Sequence, residues 1–128
     1  MSIRPVSEMV AAANAVVDHM PAAAALPLHG QAGVTFVDLR DPRELEREGM
    51  IPGAFHAPRG MLEFWIDPAS PYAKPVFASG DRFVFYCASG WRSALAAKAA
   101  QDMGLTGVSH IEDGFAGWRK AGGPVVPR

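Results

Sequence analysis

Cys87 is the only cysteine in a chain of 128 residues, and it stands where the sequence changes pattern. Before it runs RFVFYC, an apolar stretch rich in strand-forming residues; after it runs SALAAKAAQDMG, small and helix-forming. Between them lie Ala88, Ser89, Gly90, Trp91 and Arg92, with Ser93 opening the predicted helix. A tight turn from strand to helix aims successive backbone N–H groups inward, and the helix N-terminus adds its positive dipole end. Gly90 can take the left-handed conformations such a turn requires. Arg92 supplies a cation that cannot lose its proton. A free thiol titrates near about 8.5, and surroundings of this kind bring it to roughly 3.5–7.5. The thiolate, which is the nucleophile, is then favoured. A lone cysteine is ordinarily an inert core residue; the glycine-containing loop with Arg92 turns the reading toward chemistry. No Ser-His-Asp or paired-carboxylate arrangement competes. His19, His29, His56 and His110 are scattered and show no metal-ligand spacing.

The bulk composition is that of an ordinary globular chain, with 49% apolar and 20% charged residues. At this length a single domain over residues 1–128 can bury a real core. The formal net charge of −1 offers no basic excess for nucleic acid or an anionic membrane. One cysteine can make neither an internal disulfide nor a cysteine-based metal site, and a reducing cytoplasmic setting fits best. Alanine-rich MVAAANAVVDHMPAAAALPL is broken by Asn14, Asp18 and His19, follows Glu8 rather than a basic flank, and is too short of continuous apolar character to span a bilayer.

The elements that must hold the cysteine follow from periodicity. Ser7 can cap a helix from Glu8, with Met9, Ala13, Val16, Val17 and Met20 on one face and Pro21 as its stop. AAAALPLHGQAG reads as a connection. VTFVDL, residues 34–39, is a buried strand, and RDPRELEREG is a helix with Asp41 as cap, Pro42 at its first position, Glu44 completing a capping box and Gly49 ending it. A second strand is expected around Ala54–Ala57, a short helix in RGMLEFWI, and a last strand in GVSHI. Continuous apolar strands alternating with helices imply an α/β fold with a parallel sheet covered on both faces, whose ligands bind at the carboxyl ends of the strands. Cys87 ends the most apolar of these strands.

YCASGWRSALAA resembles the active-site loop of the rhodanese-like (sulfurtransferase) family. FVDLRDPRELEREGMIPGAFHAP is similar to that family's strand–helix signature of Asp-x-Arg, an acidic helix and Ile-Pro-Gly-Ala, and DMGLTGVSHIEDGFAGWRKAGGPV to its C-terminal segment. The likeness runs from about Val34 to Val125, leaving residues 1–33 as an N-terminal helix and connection. It implies a three-layer α/β/α fold around a mainly parallel sheet of about five strands. It also implies that Cys87 takes a sulfane sulfur from a small anionic donor such as thiosulfate and passes it to cyanide, a thiol or a protein acceptor, with no metal or organic cofactor. The amides of Ala88 through Arg92 would cradle the outer sulfur, and Arg92 would attract the donor. Cdc25-type phosphatases, which resemble rhodaneses, use a loop one residue longer; here four residues separate Cys87 from Arg92, and Ser93 stands where the longer loop would have arginine. A sulfur-relay or binding module with little small-molecule turnover is the alternative of another class, and phosphatase or arsenate-reductase chemistry a third.

Asp38 and Arg40 match the Asp-x-Arg and read either as electrostatic support of the loop or, preferably, as an ion pair or cap fixing the turn after the strand. Trp91 reads equally as a lip of the pocket or as packing against Phe55 or Trp65. Phe115 and Trp118 are expected core anchors, and Met61, Leu62, Phe64 and Trp65 a packed helix face or a wall of the site. Met50 replaces the histidine that often precedes Ile-Pro-Gly in the family.

Overall fold

The computed structural model of the chain describes residues 2–128. Five strands form one sheet: β1 (Asp18–Met20), β2 (Val34–Asp38), β3 (Phe55–His56), β4 (Arg82–Tyr86) and β5 (Val108–Ile111). All pairings are parallel, in the order β1-β5-β4-β2-β3. β2 and β4 register residue for residue from Val34↔Arg82 to Asp38↔Tyr86, so their carboxyl ends lie side by side at the base of the Cys87 loop.

Alternation along the strands divides the core between two faces. Val37, Leu39, Phe83 and Phe85 pack with Leu62 of α4 (Leu62–Ile66), and with Ala96, Ala97 and Ala100 of α5 (Trp91–Asp102). Phe36, Val84, Tyr86 and Ile111 pack on the other face with Ala22 and Ala25 of α2 (Ala22–Ala25), and with Phe115 and Trp118 of α6 (Gly114–Lys120). The small buried Ala96, Ala97 and Ala100 of α5 let this helix approach the sheet closely, which places its N-terminus over the end of β4, while Ala94 packs with Val10 and Ala13. Phe115 and Trp118 are buried, as expected of core anchors. α3 (Pro42–Glu48) begins with the expected capping box: Asp41 Oδ1 accepts from Arg43 N at 2.8 Å, and Asp41 N donates to Glu44 Oε2 at 2.8 Å.

The N-terminal region differs from the sequence reading. α1 spans Val6–Asn14 with Pro5 at its cap position, and Ser7 caps nothing. The expected helix to Met20 ends early because β5 has an open edge: residues 18–20 extend and pair with Ser109, His110 and Ile111. A ladder with a buried strand outweighs the local helical pattern. The expected connection 22–33 contains α2 and a 3-10 turn at Leu26–Leu28, recruited by the apolar face around Trp118. α5 starts at Trp91, two positions before Ser93.

Removing residues 1–20 would strip β1 from β5 and expose the sites that bury Val10, Ala13 and Val17. The expected loss is about 3 kcal/mol, taking the two valines at roughly 1.5 kcal/mol each. A urea midpoint lowered accordingly, with self-association through the bared β5 edge, is the outcome to look for.

Candidate active site

Cys87 directly follows β4 and is 1% exposed. Its sulfur sits under the start of α5, where Gly90 N–H points at Sγ from 3.2 Å and Ser93 N–H from 3.4 Å. The thiol also donates to Ser93 Oγ at 3.5 Å. Of the amides from Ala88 to Arg92, Gly90's reaches the sulfur; the second donor comes from one residue beyond. Ser89 and Trp91 face solvent, and Ala88 is half-buried. Trp91 is 51% exposed and packs on neither Phe55 nor Trp65, which pair with each other. Leu62 of α4 is buried while Met61 and Phe64 stay exposed.

Two close backbone approaches shape the loop. Gly90 has φ 102°, and a Cβ there would lie 2.1 Å from the Glu112 carbonyl oxygen. Gly114, at φ 61°, would bring a Cβ to 2.5 Å from the Ala88 oxygen. The start of α6 also ties down the loop carbonyls, with Phe115 N donating to Cys87 O at 2.8 Å and Ala116 N to Ala88 O at 3.2 Å. With those carbonyls held outward, the amides at the mouth of α5 are left to face the sulfur. Beside Ala88 the surface opens into a depression of about 280 Å³ lined by Glu48, Phe115, Ala116 and Arg119.

Arg92 does not touch the sulfur. Its two terminal nitrogens donate to Glu44 at 2.8 and 2.9 Å in a bidentate pair. That hydrogen-bonded guanidinium, against the opposing effect of burial, brings the Glu44 carboxyl down to about 2. Glu44 raises Arg92 in return, and the charge of Cys87 acts on Arg92 in the same sense, so the cation is held within electrostatic reach of the sulfur.

Asp38 and Arg40 form a fully buried ion pair, with Arg40 Nη2 to Asp38 Oδ2 at 2.8 Å and Arg40 Nε to Oδ1 at 3.0 Å. Arg40 donates further to Gly49 O at 2.8 Å, and its guanidinium lies 4.1 Å from the Phe115 ring centre. His56 ends β3 with Nε2 donating to Arg40 O at 2.7 Å.

Two residues at the sulfur's back were not among the sequence candidates. Ser93 Oγ meets His110 Nδ1 at 2.9 Å, and His110 Nε2 meets Asn14 Oδ1 at 2.7 Å. Burial, with the nearby His19 second, lowers His110 to about 4. The sequence signal was a polar side chain inside a buried strand, which must have partners; spacing could not name them. Among the described residues, no group of three or more His, Cys, Asp or Glu is placed to hold a metal.

The model of the rhodanese-like domain family matches residues 21–121. A structure from Rhodopseudomonas palustris, described as a protein of unknown function and possible tyrosine phosphatase, is 57% identical and superposes with a TM-score of 0.95 over 98% of each chain. The polysulfide-sulfur transferase of Wolinella succinogenes is 26% identical, with a TM-score of 0.68 over 95% of this chain and 87% of that one. The dual specificity phosphatase Cdc25 of Arabidopsis thaliana is 30% identical over 109 residues, 78% of this chain and 71% of that protein. The chain spans between 50% and 71% of the length of three curated relatives that it matches.

Gly90→Ala must move the Glu112 backbone and strain a positive φ, and should cost about 2 kcal/mol or more. A thermal melt, with the Cys87-loop amide resonances followed by NMR, reads it; an unshifted melt would exclude the close approach. Glu44 titrates lower folded than unfolded, so its contribution is complete above its ordinary value of 4.5 and is lost as pH falls through about 2. Glu44→Gln should therefore flatten the stability–pH curve in that window, and cost about 1 kcal/mol at neutral pH because the pair is partly solvated.

Proposed function

The chain belongs to the rhodanese-like domain family, a family of sulfur-transfer domains, and on that premise we propose that it is a sulfurtransferase carrying a sulfane sulfur on Cys87. The observation that carries this reading is a buried sulfur facing two amide donors at the mouth of α5, with no side-chain cation in the loop's centre. The Cys87 thiolate attacks the outer sulfur of a thiosulfate-like or persulfide donor. An S–S bond forms, and sulfite or a thiolate leaves with the electron pair of the broken bond. The outer sulfur of the resulting persulfide is then taken by cyanide, a thiol or a protein acceptor, returning the thiolate.

In this reading Ala88, Ser89, Gly90, Trp91, Arg92 and Ser93 form the persulfide-binding loop. Gly90 and Ser93 supply the amides, Arg92 the positive field that draws an anionic donor, and Trp91 an exposed lip for a partner. Asp38 and Arg40 support the loop from below. No metal or organic cofactor is required. The proposal covers one domain over residues 1–128 in a reducing, cytoplasmic setting; no helix among the described residues is long and apolar enough to cross a membrane.

The description of the Rhodopseudomonas protein keeps phosphatase chemistry as a second reading. Phosphate recognition calls for a guanidinium fork directed at the anion, and both arms of Arg92 are held by Glu44.

Incubation of the reduced protein with thiosulfate should add the mass of one sulfur atom, and cyanide should release it as thiocyanate, while Cys87→Ser does neither. A folded, reduced protein that does neither overturns the proposal. A persulfide that passes only to a protein acceptor would make the domain a relay, and aryl-phosphate hydrolysis dependent on Cys87 would make it a phosphatase.

A further inference from the structure

We propose that Ser93, His110 and Asn14 form the proton path of Cys87: His110 Nδ1 takes the thiol proton through the Ser93 hydroxyl, and Asn14 holds the imidazole in the tautomer able to accept it. The use of this path in turnover rests on the sulfurtransferase reading; its existence does not.

The direction of the chain follows from its far end. The Asn14 carbonyl oxygen facing His110 can only accept, so Nε2 carries hydrogen, and in the uncharged ring Nδ1 is then bare. Nδ1 then accepts from the Ser93 hydroxyl, which leaves Ser93 Oγ to accept the S–H of Cys87. Every donor points from the sulfur toward Asn14. The groups facing His110 come from each element packed on it: Ser93 from α5, Asn14 from α1, His19 from β1 at 5.9 Å between ring centres, and Glu112 just after β5. Glu112 is engaged by His19 at 2.8 Å. His110 is 1% exposed and lowered to about 4, so at neutral pH the ring is uncharged and its lone pair is available. A buried histidine satisfied on both nitrogens could serve packing alone, but this chain ends on the one sulfur in the protein that could act as a nucleophile.

One shift along the chain reverses its polarity. The S–H bond breaks and its proton passes to Ser93 Oγ, while the Ser93 hydrogen passes to Nδ1. The electron pair stays on sulfur, where the Gly90 and Ser93 amides face it, and Ser93 now donates to the thiolate. His110, too weak a base when buried to stay charged alone, is imidazolium only while that thiolate stands opposite it. After attack on thiosulfate the proton leaves on the sulfite, so that thiol plus thiosulfate gives persulfide anion plus hydrogen sulfite. Asn14 precedes the residues matched by the family model, so α1 completes the site from outside them. His110 and Asn14 are positioning residues that act through Ser93.

The single cysteine makes the test direct: ultraviolet thiolate absorbance is titrated against pH, with Cys87→Ser as the blank. Asn14→Asp places a carboxylate on Nε2 and should lower the midpoint. Asn14→Leu and Ser93→Ala should raise it; a midpoint higher by about one on the pH scale leaves about tenfold less thiolate at acidic pH. Ser93→Thr should restore it. Because both losses cut the same path, the double variant should be no worse than either single one. Folded Asn14→Asp and Ser93→Ala proteins with an unmoved midpoint would overturn the proposal, as would additive effects in the double variant. Should Asn14→Leu fail to fold, Asn14→Asp and Ser93→Ala decide it. The titration uses no sulfur donor. Midpoints that move as expected, in a protein that transfers no sulfur, would therefore support the proton path and defeat the proposed function alone.

Discussion

The burial of Arg40 is the constraint on which the rest of this structure depends. A guanidinium with no exposed surface has lost its hydration, a penalty of several kcal/mol. Each of its compensations belongs to a different element. Asp38, two residues back at the end of β2, gives both carboxylate oxygens, and Asp38 Oδ1 also accepts Arg40's own amide at 3.0 Å. Gly49, beyond α3, gives its carbonyl; Phe115 of α6 and Tyr86 of β4 give their ring faces. Burial and the nearby Asp38 charge push the Tyr86 phenol upward, and its oxygen accepts from Ile51 N at 3.2 Å. A misplaced α3 end, β4 or α6 would strip the buried guanidinium of its Gly49 acceptor or of the ring faces of Tyr86 and Phe115. The pair thus acts less as a source of net stability than as a test of register at the edge where Cys87 emerges.

Above that platform the cysteine loop is held mainly by backbone. Gly90 lies against the Glu112 carbonyl and Gly114 against the Ala88 carbonyl, approaches that no residue with a Cβ could make unmoved. The residues after β5 therefore do two things at once. They clamp the loop through Gly114 and Phe115, and β5 itself carries His110 to the sulfur's rear through Ser93. Side-chain specificity enters at only a few points: Glu44 on Arg92 from one side, His110 and Asn14 on Ser93 from the other.

What could be read in the sequence was what is contiguous. β2, β4, β5, α5 and the capping box of α3 have signals within ten or so residues, and all appear in the fold. The Cys87 loop is equally local, which is why its strand, glycine and helix start could be identified together. The N-terminal region failed because its fate is decided across the sheet. Val16 and Val17 suit helix or strand, and only the open edge of β5 makes 18–20 extend. The same limit applies to the site. Glu44, His110 and Asn14 lie 48, 17 and 96 residues from the groups they bind, and no spacing rule connects them.

The contrast between sulfur and phosphate chemistry on this fold reduces to what the loop must satisfy. A tetrahedral phosphate brings several charged oxygens, each needing a donor, and an arginine fork is the usual way to meet two of them. A sulfane sulfur is one large, soft atom of lower charge density, for which amide donors and a positive field suffice. Here the fork is already occupied, and its occupant does not leave easily. Glu44 is held near 2, so it stays ionised at any pH at which a folded protein would meet a substrate. It is tied as well to the N-terminal cap of α3 through Asp41 N. For Arg92 to turn inward, it would have to abandon two charge-assisted hydrogen bonds and strand that carboxylate. The Glu44 clamp thus holds the guanidinium as a fixed charge beside the loop, which is the role that the proposed sulfur chemistry asks of it.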